Sequence, residues 1–188
     1  RYKLLGVEAS DQPKPLGATT QYHEIGEFEF ETGFVPNKTE IMLGEDLGFT
    51  FYVKNVGEKK FYLETGGDSR GVRSSRFSIT AIDAQGKKVF DPYENSPHFG
   101  GLMGAPPGID PGQSYTRKMT LSKWCRFDKP GTFTVTGKRT LNLSKDGMLA
   151  LSRGDCPLDK PITDSFIVTV IGPTLEQARE RVKQMMEN

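Results

Sequence analysis

The chain has 188 residues, 35% hydrophobic and 26% charged, with a formal net charge of +1. It is long enough to bury a core without metals or staples, and it lacks the basic footprint of a nucleic-acid binder. No apolar run reaches the length of a membrane span, and 21 glycines with 12 prolines favour a fold with many turns.

In chain order, residues 1–24 are polar, contain Pro13 and Pro15, and read as an N-terminal arm with one short strand around Tyr2–Val7. Alternation then begins. Phe28 and Phe30, set between Glu27, Glu29 and Glu31, predict a half-buried strand with its acidic face in water. The clearest strand is Leu47–Lys54, with Leu47, Phe49, Phe51 and Val53 on one face. Phe61 and Leu63 start the next strand, and a Gly- and Arg-rich loop follows from Gly66 to Ser75.

Phe77, Ile79 and Ala81 alternate, Asp83-Ala84-Gln85-Gly86 reads as a hairpin turn with glycine where positive φ is needed, and Lys88–Phe90 is expected to return as a strand. Residues 91–112 read as loop, ending in Asp110-Pro111-Gly112-Gln113, a type II turn. Tyr115–Leu121 is the next strand, with Met119 and Leu121 facing in, and Asp128-Lys129-Pro130-Gly131 repeats the Pro-Gly turn. Phe133 and Val135, then Phe166, Val168 and Val170, mark the last strands. At the C-terminus Thr174 is placed as a helix N-cap with Gln177 at the capping-box position, and Leu175, Ala178, Val182 and Met185 recur at helical spacing.

Seven or eight strands with turn signals between them predict an all-β, immunoglobulin-like antiparallel β-sandwich with a short C-terminal α-helix; a closed barrel is the other arrangement such a count allows. The organisation is an arm over 1–24, a sandwich over 25–172 and an amphipathic helix over 173–188. The expected core contains Phe49, Phe51, Val53, Phe77, Ile79, Leu121, Trp124, Phe133, Val135, Phe166 and Val168.

The run Ile41-x-Leu43-Gly44-Glu45-x-Leu47-x-Phe49-x-Phe51-x-Val53-x-Asn55-x-Gly57 resembles the opening strands of bacterial Ig-like domains. Ile109-Asp110-Pro111-Gly112-Gln113-Ser114 and Pro130-Gly131-Thr132-Phe133-Thr134-Val135 continue the likeness, which spans about residues 41–171. The set resembles the Bacillus-type intracellular proteinase inhibitor and the Ig-like modules of larger bacterial envelope proteins. These motifs imply architecture and transfer no functional residue.

Catalytic chemistry finds little support. The two histidines, His23 and His98, are isolated, and His23 beside Glu24 on a strand points to the opposite face from it, a poor ligand pair. No metal-, phosphate- or nucleophile-type motif occurs. A dyad of Cys125 with His98 would need an oriented base that nothing supplies. Cys125 and Cys156 are open to two readings, a single bridge in an exported protein or two unrelated thiols. Arg153-Gly154-Asp155 is an adhesive tripeptide that also suits an ordinary turn, and the sequons at Asn37 and Asn142 matter only in a secretory host.

Two loops carry the binding expectation. Arg70, Arg73 and Arg76 recur every third residue among small residues, a pattern able to meet carboxylate or phosphate, while a solvated loop is the plainer reading. Tyr93, His98 and Phe99, with Leu102 and Met103, place aromatic and apolar side chains on a scaffold loop, where they serve either recognition or closure of the core. Replacing the three arginines by serine is then expected to leave the fold intact, since exposed charges add little stability. The resulting expectation is a non-enzymatic, exported or envelope-associated interaction module without cofactor or metal. Its partner would be a protein or a polysaccharide and not nucleic acid. The alternatives are a proteinase-inhibitor-like or carbohydrate-binding domain. Arg1 in place of Met fits a cleaved leader or a trimmed chain equally, so a cytoplasmic setting also stays open.

Overall fold

The computed structural model describes residues 20–65, 71–74, 76–96, 105–147, 156–157, 161–177, 179 and 183. The strands, in chain order, are β1 (Gln21–Ile25), β2 (Phe28–Pro36), β3 (Glu40–Met42), β4 (Gly48–Asn55), β5 (Phe61–Leu63), β6 (Phe77–Asp83) and β7 (Gly108–Ile109). They continue with β8 (Ser114–Thr120), β9 (Gly131–Arg139), β10 (Asn142–Ser144), β11 (Cys156–Pro157) and β12 (Ile162–Ile171). Two four-stranded sheets, ordered β1-β2-β4-β8 and β3-β12-β9-β6, face each other as a sandwich. A third sheet of very short strands, ordered β11-β10-β5-β7, extends one end.

The period-2 pattern sets which side chains meet. Phe49, Phe51 and Val53 of β4 face Phe77 and Ile79 of β6, Phe133 and Val135 of β9, and Phe166 and Val168 of β12; all are buried, as are Leu121 and Trp124. Phe34 anchors the centre, with its ring 5.0 Å from Phe51, 6.2 Å from Phe77 and 6.5 Å from Phe49. Gly137 makes room for it: a Cβ there would lie 2.7 Å from the Phe34 ring. The sheets are also tied by a polar bond, since the Phe34 N–H donates to buried Asp164 Oδ2 at 3.1 Å. The small sheet adds Phe61, whose ring lies 5.6 Å from Phe28 and 5.9 Å from Phe30. Buried Asn55 ties this end together, its Nδ2 donating to Lys59 O and Ile109 O at 2.9 Å each.

The turn chemistry follows the sequence. Gly86 takes φ 80° and its N–H donates to Asp83 O at 2.9 Å, while Gly112 takes φ 79° and Gln113 N–H donates to Asp110 O at 2.9 Å. Thr174 and Gln177 form the expected reciprocal cap, with bonds of 2.9 and 3.2 Å, and helix follows at 175–177.

Several expectations need correction. Residues 21–24, placed in the arm, form β1, a hairpin with β2 across Gly26 at φ 61°. Lys88–Phe90 is not a strand but two isolated bridges, Ile82 to Lys88 and Phe90 to Arg126, because the chain leaves the β6 edge after one turn. Leu121 sits on a 3-10 turn, Leu121–Lys123, rather than at a strand end. The sandwich is not wholly antiparallel, since β3 runs parallel to β12. Of the two cysteine readings left open, the structure has Cys125 as a free thiol; the Cys156 backbone belongs to β11, beside Leu143. The Tyr2–Val7 strand lies outside the described residues.

One buried charge was not expected. Arg139 ends the inward row Phe133, Val135, Gly137 and is 1% exposed. Its guanidinium lies 4.5 Å from the Phe77 centroid and 5.5 Å from that of Phe51, and Nη2 donates to Glu64 O at 2.9 Å. Among the described residues Nε and Nη1 have no hydrogen-bond partner, and burial pulls the pKa down to about 10. A buried charge so poorly repaid is costly. Arg139→Met is therefore expected to match or exceed the parent in thermal unfolding midpoint, and a clear drop would show that the cation stabilises the fold.

Candidate functional site

The structure joins the two loops singled out in the sequence. Arg73 Nη1 donates to both carboxylate oxygens of Asp91, at 2.7 and 2.8 Å, and to Lys123 O at 3.1 Å. Its Nη2 donates to Tyr93 O at 3.2 Å. Asp91 Oδ1 also accepts the Tyr93 N–H at 2.9 Å, an Asx-type turn closed by a side chain. Both partners of the ion pair have side chains 12% exposed, so Arg73 is a clamp within the fold rather than a solvated loop charge. Asp91 was missed in the sequence, although Asp91-Pro92-Tyr93 carries the residue types of such a turn.

Arg76 turns elsewhere. Its Nη2 lies 2.9 Å from Glu64 Oε1, and Glu64, itself buried, also accepts from Asn142 Nδ2 at 3.3 Å. The structure therefore unites Arg73 with Tyr93 and separates both from Arg76. Arg70, His98 and Phe99 lie outside the described residues, as do Leu102, Met103 and the Arg153-Gly154-Asp155 tripeptide.

Two recesses lie near the Arg73–Asp91 clamp, one lined by Tyr93 and the other by Arg73. A cleft of about 480 Å³ opens between the β3–β4 turn, Tyr93 and the 3-10 turn, lined among others by Glu45, Asp46, Ser122, Arg126 and Phe127. Asp46 fixes one wall, accepting from Ser122 N–H at 3.2 Å and Ser122 Oγ at 2.7 Å. Lys38 pairs with Glu45, and with the Met42 N–H it holds that carboxyl below its ordinary range. A second recess of about 240 Å³ lies between residues 71–74 and β8, lined by Arg73, Arg117, Lys118 and Lys123 and, among the described residues, by no carboxylate.

Cys125 also borders the cleft, but burial pushes its thiol up to about 12, with the Asp91 carboxylate adding to the effect and Arg73 opposing it. A thiol held neutral at physiological pH is a poor nucleophile. Native protein is expected to leave Cys125 unlabelled by a thiol reagent at neutral pH. On unfolding without reductant the thiol should react at once, and a Cys125 that stays blocked would mean a bridge.

His23 is packed rather than poised for metal. It stacks on Phe30 with ring centroids 5.1 Å apart, and Nε2 shares a 2.9 Å hydrogen bond with Thr32 Oγ1. Among the described residues no group of three His, Cys, Asp or Glu is arranged to hold a metal ion. Partial burial lowers the His23 pKa from 6.5. The unfolded chain then binds more protons than the folded one just below that value, so this contribution to stability is present above it and fades as pH falls. His23→Gln is expected to flatten the loss of urea stability between about pH 7 and about pH 5, and an unchanged pH profile would refute this.

No protein-family model and no curated protein sequence matches the chain. Among solved structures, a β-glucosidase from Listeria innocua in complex with isofagomine aligns at 14% identity and TM-score 0.36, over 78% of this chain. The aligned part is only 16% of that enzyme. A structural-genomics target, SoR45, aligns at 17% identity and TM-score 0.35, over 81% of this chain and 83% of its own. The CARDB domain of PF1109 from Pyrococcus furiosus aligns at 9% identity and TM-score 0.32, over 89% of this chain and 100% of that one. Likenesses this weak carry no argument about activity. Among the described residues no helix is long and apolar enough to cross a membrane.

Proposed function

We propose that this chain is a non-catalytic interaction module whose contact site is the end of the sandwich built by residues 90–96, the β3–β4 turn and the 3-10 turn. One observation carries the reading: Arg73 and Asp91 spend a nearly buried ion pair on fixing the turn at Asp91, whose next residues, Pro92 and Tyr93, wall an open cleft. A cleft with rigid walls and a mixed lining, its polar groups few and fixed, suits recognition. The neutral Cys125 thiol supports binding over nucleophilic chemistry at the same place. The resemblance of residues 41–171 to Ig-like modules of bacterial envelope proteins supports an exported setting and a protein partner.

The test is capture of partners from envelope extracts of the source cells by the immobilised chain. Tyr93→Ala and Phe127→Ala, which remove cleft walls, should lose the proteins that the parent retains. An identical set retained by parent and both variants would discard the cleft. A second reading, saccharide binding, is favoured by Tyr93 and Phe127 lining the cleft together with Glu45 and Asp46. Calorimetric titration with an oligosaccharide panel decides between them, since saturable heat lost in Tyr93→Ala would favour the sugar.

A further inference from the structure

Strand β8 is an edge of the first sheet, hydrogen-bonded to β4 alone. Its register shows which groups are left over. Leu121 N–H donates to Leu47 O at 2.8 Å and Asn55 N–H to Gln113 O at 2.9 Å, so the odd-numbered residues of this stretch exchange bonds with β4. The N–H and C=O groups of Ser114, Thr116, Lys118 and Thr120 therefore point off the sheet. None of the four bonds to another described residue, and residues 71–74 pass alongside without pairing. A regular seven-residue strand with one side unpaired is a template for another strand.

The charges beside this edge select what can add to it. Among the described residues, Lys118 on the strand and Lys123 just beyond it have no ion pair, and none that lines the adjoining recess is a carboxylate. A second copy fits poorly. The fully overlapping antiparallel pairing of two β8 strands is centred on Arg117, setting it against itself with Lys118 adjoining on each side, and like charges opposite one another destabilise a strand pair. A strand with carboxylates at alternate positions meets the opposite condition.

We propose that β8 accepts an acidic extended peptide of a partner protein as a fifth strand of the first sheet. The peptide backbone bonds to Ser114, Thr116, Lys118 and Thr120, and its carboxylates meet Lys118 and Lys123. This goes beyond the cleft reading, because no residue of β8 is among those that line the cleft.

The test is selection on the intact chain from a displayed heptapeptide library with Asp or Glu at alternate positions, followed by fluorescence anisotropy of the selected peptide. Saturable binding is expected, with loss of about tenfold or more in Lys118→Glu/Lys123→Glu, and with stronger salt dependence in the parent than in that variant. Thr116→Pro should abolish binding while keeping the β-sheet circular dichroism, since the Thr116 N–H points away from β4 and edge strands tolerate proline there. Should that variant unfold, N-methylation of alternate peptide amides replaces it and must abolish binding to the parent. Tyr93→Ala should bind the peptide like the parent, which separates failure of the edge from failure of the cleft. The proposal is overturned by absence of any selected acidic binder, by equal affinity for the lysine counterpart, or by binding that survives removal of the edge hydrogen bonds. Concentration-dependent dimerisation lost in Thr116→Pro would overturn it in favour of self-pairing.

Discussion

Phe51→Ala is expected to destabilise the fold by about 3–5 kcal/mol, the range for removing a large aromatic side chain from a packed core. Phe51 is 0% exposed and sits on β4, which is paired on both sides, by β2 and β8. Its ring lies 5.0 Å from Phe34 and 5.2 Å from Phe77. Those rings come from different sheets, so neither can move into the vacated space without breaking its own register. The loss also strips one of the two aromatic faces beside the Arg139 guanidinium, leaving a poorly bonded buried cation still less compensated. Urea unfolding followed by circular dichroism and by Trp124 fluorescence measures the effect. A loss below about 1 kcal/mol would mean that the core collapses around the gap and that the two sheets are not locked by these rings.

The sandwich was legible where the sequence alternates strongly. Phe49, Phe51 and Val53, or Phe133 and Val135, announce one buried face each because side chains on a strand point alternately to its two faces. The illegible parts are those where this signal is short or contradicted. Strands β5, β7, β10 and β11 have two or three residues, too few to show a period, and they are held by pairing partners far away in the chain. The parallel pairing of β3 with β12 joins residues about 130 positions apart, which no local pattern encodes. Arg139 occupies an inward position by strict alternation, but a charged side chain reads as outward; the aromatic rings that shelter it come from β4 and β6. The candidate site was half legible for a similar reason. Arg73 and Tyr93 stood out by residue type, whereas their common partner, Asp91, is significant only once folding brings position 73 against position 91.

Asp91→Ala is expected to cost about 3 kcal/mol, the low end for breaking a buried ion pair, because each side chain of the Arg73–Asp91 pair retains 12% exposure. Removing the carboxylate leaves the Arg73 guanidinium largely out of water with, among the described residues, two carbonyl acceptors, Lys123 O and Tyr93 O, and it frees the Tyr93 N–H. Asp91→Asn keeps an acceptor for that N–H and should cost less than Asp91→Ala. Replacing Arg70, Arg73 and Arg76 together by serine is therefore expected to destabilise the chain, contrary to what exposed loop charges would predict, with Arg73 carrying the loss. A double-mutant cycle between positions 73 and 91, read by urea unfolding, should give a coupling of about 1–3 kcal/mol. The same carboxylate helps keep the Cys125 thiol protonated, so Asp91→Ala should also speed native-state labelling of Cys125 at neutral pH. Coupling near zero together with unchanged Cys125 labelling would show that the pair is incidental. The turn at Asp91 would then stand without it, and the cleft that Pro92 and Tyr93 wall would lose its claim to be a preformed site.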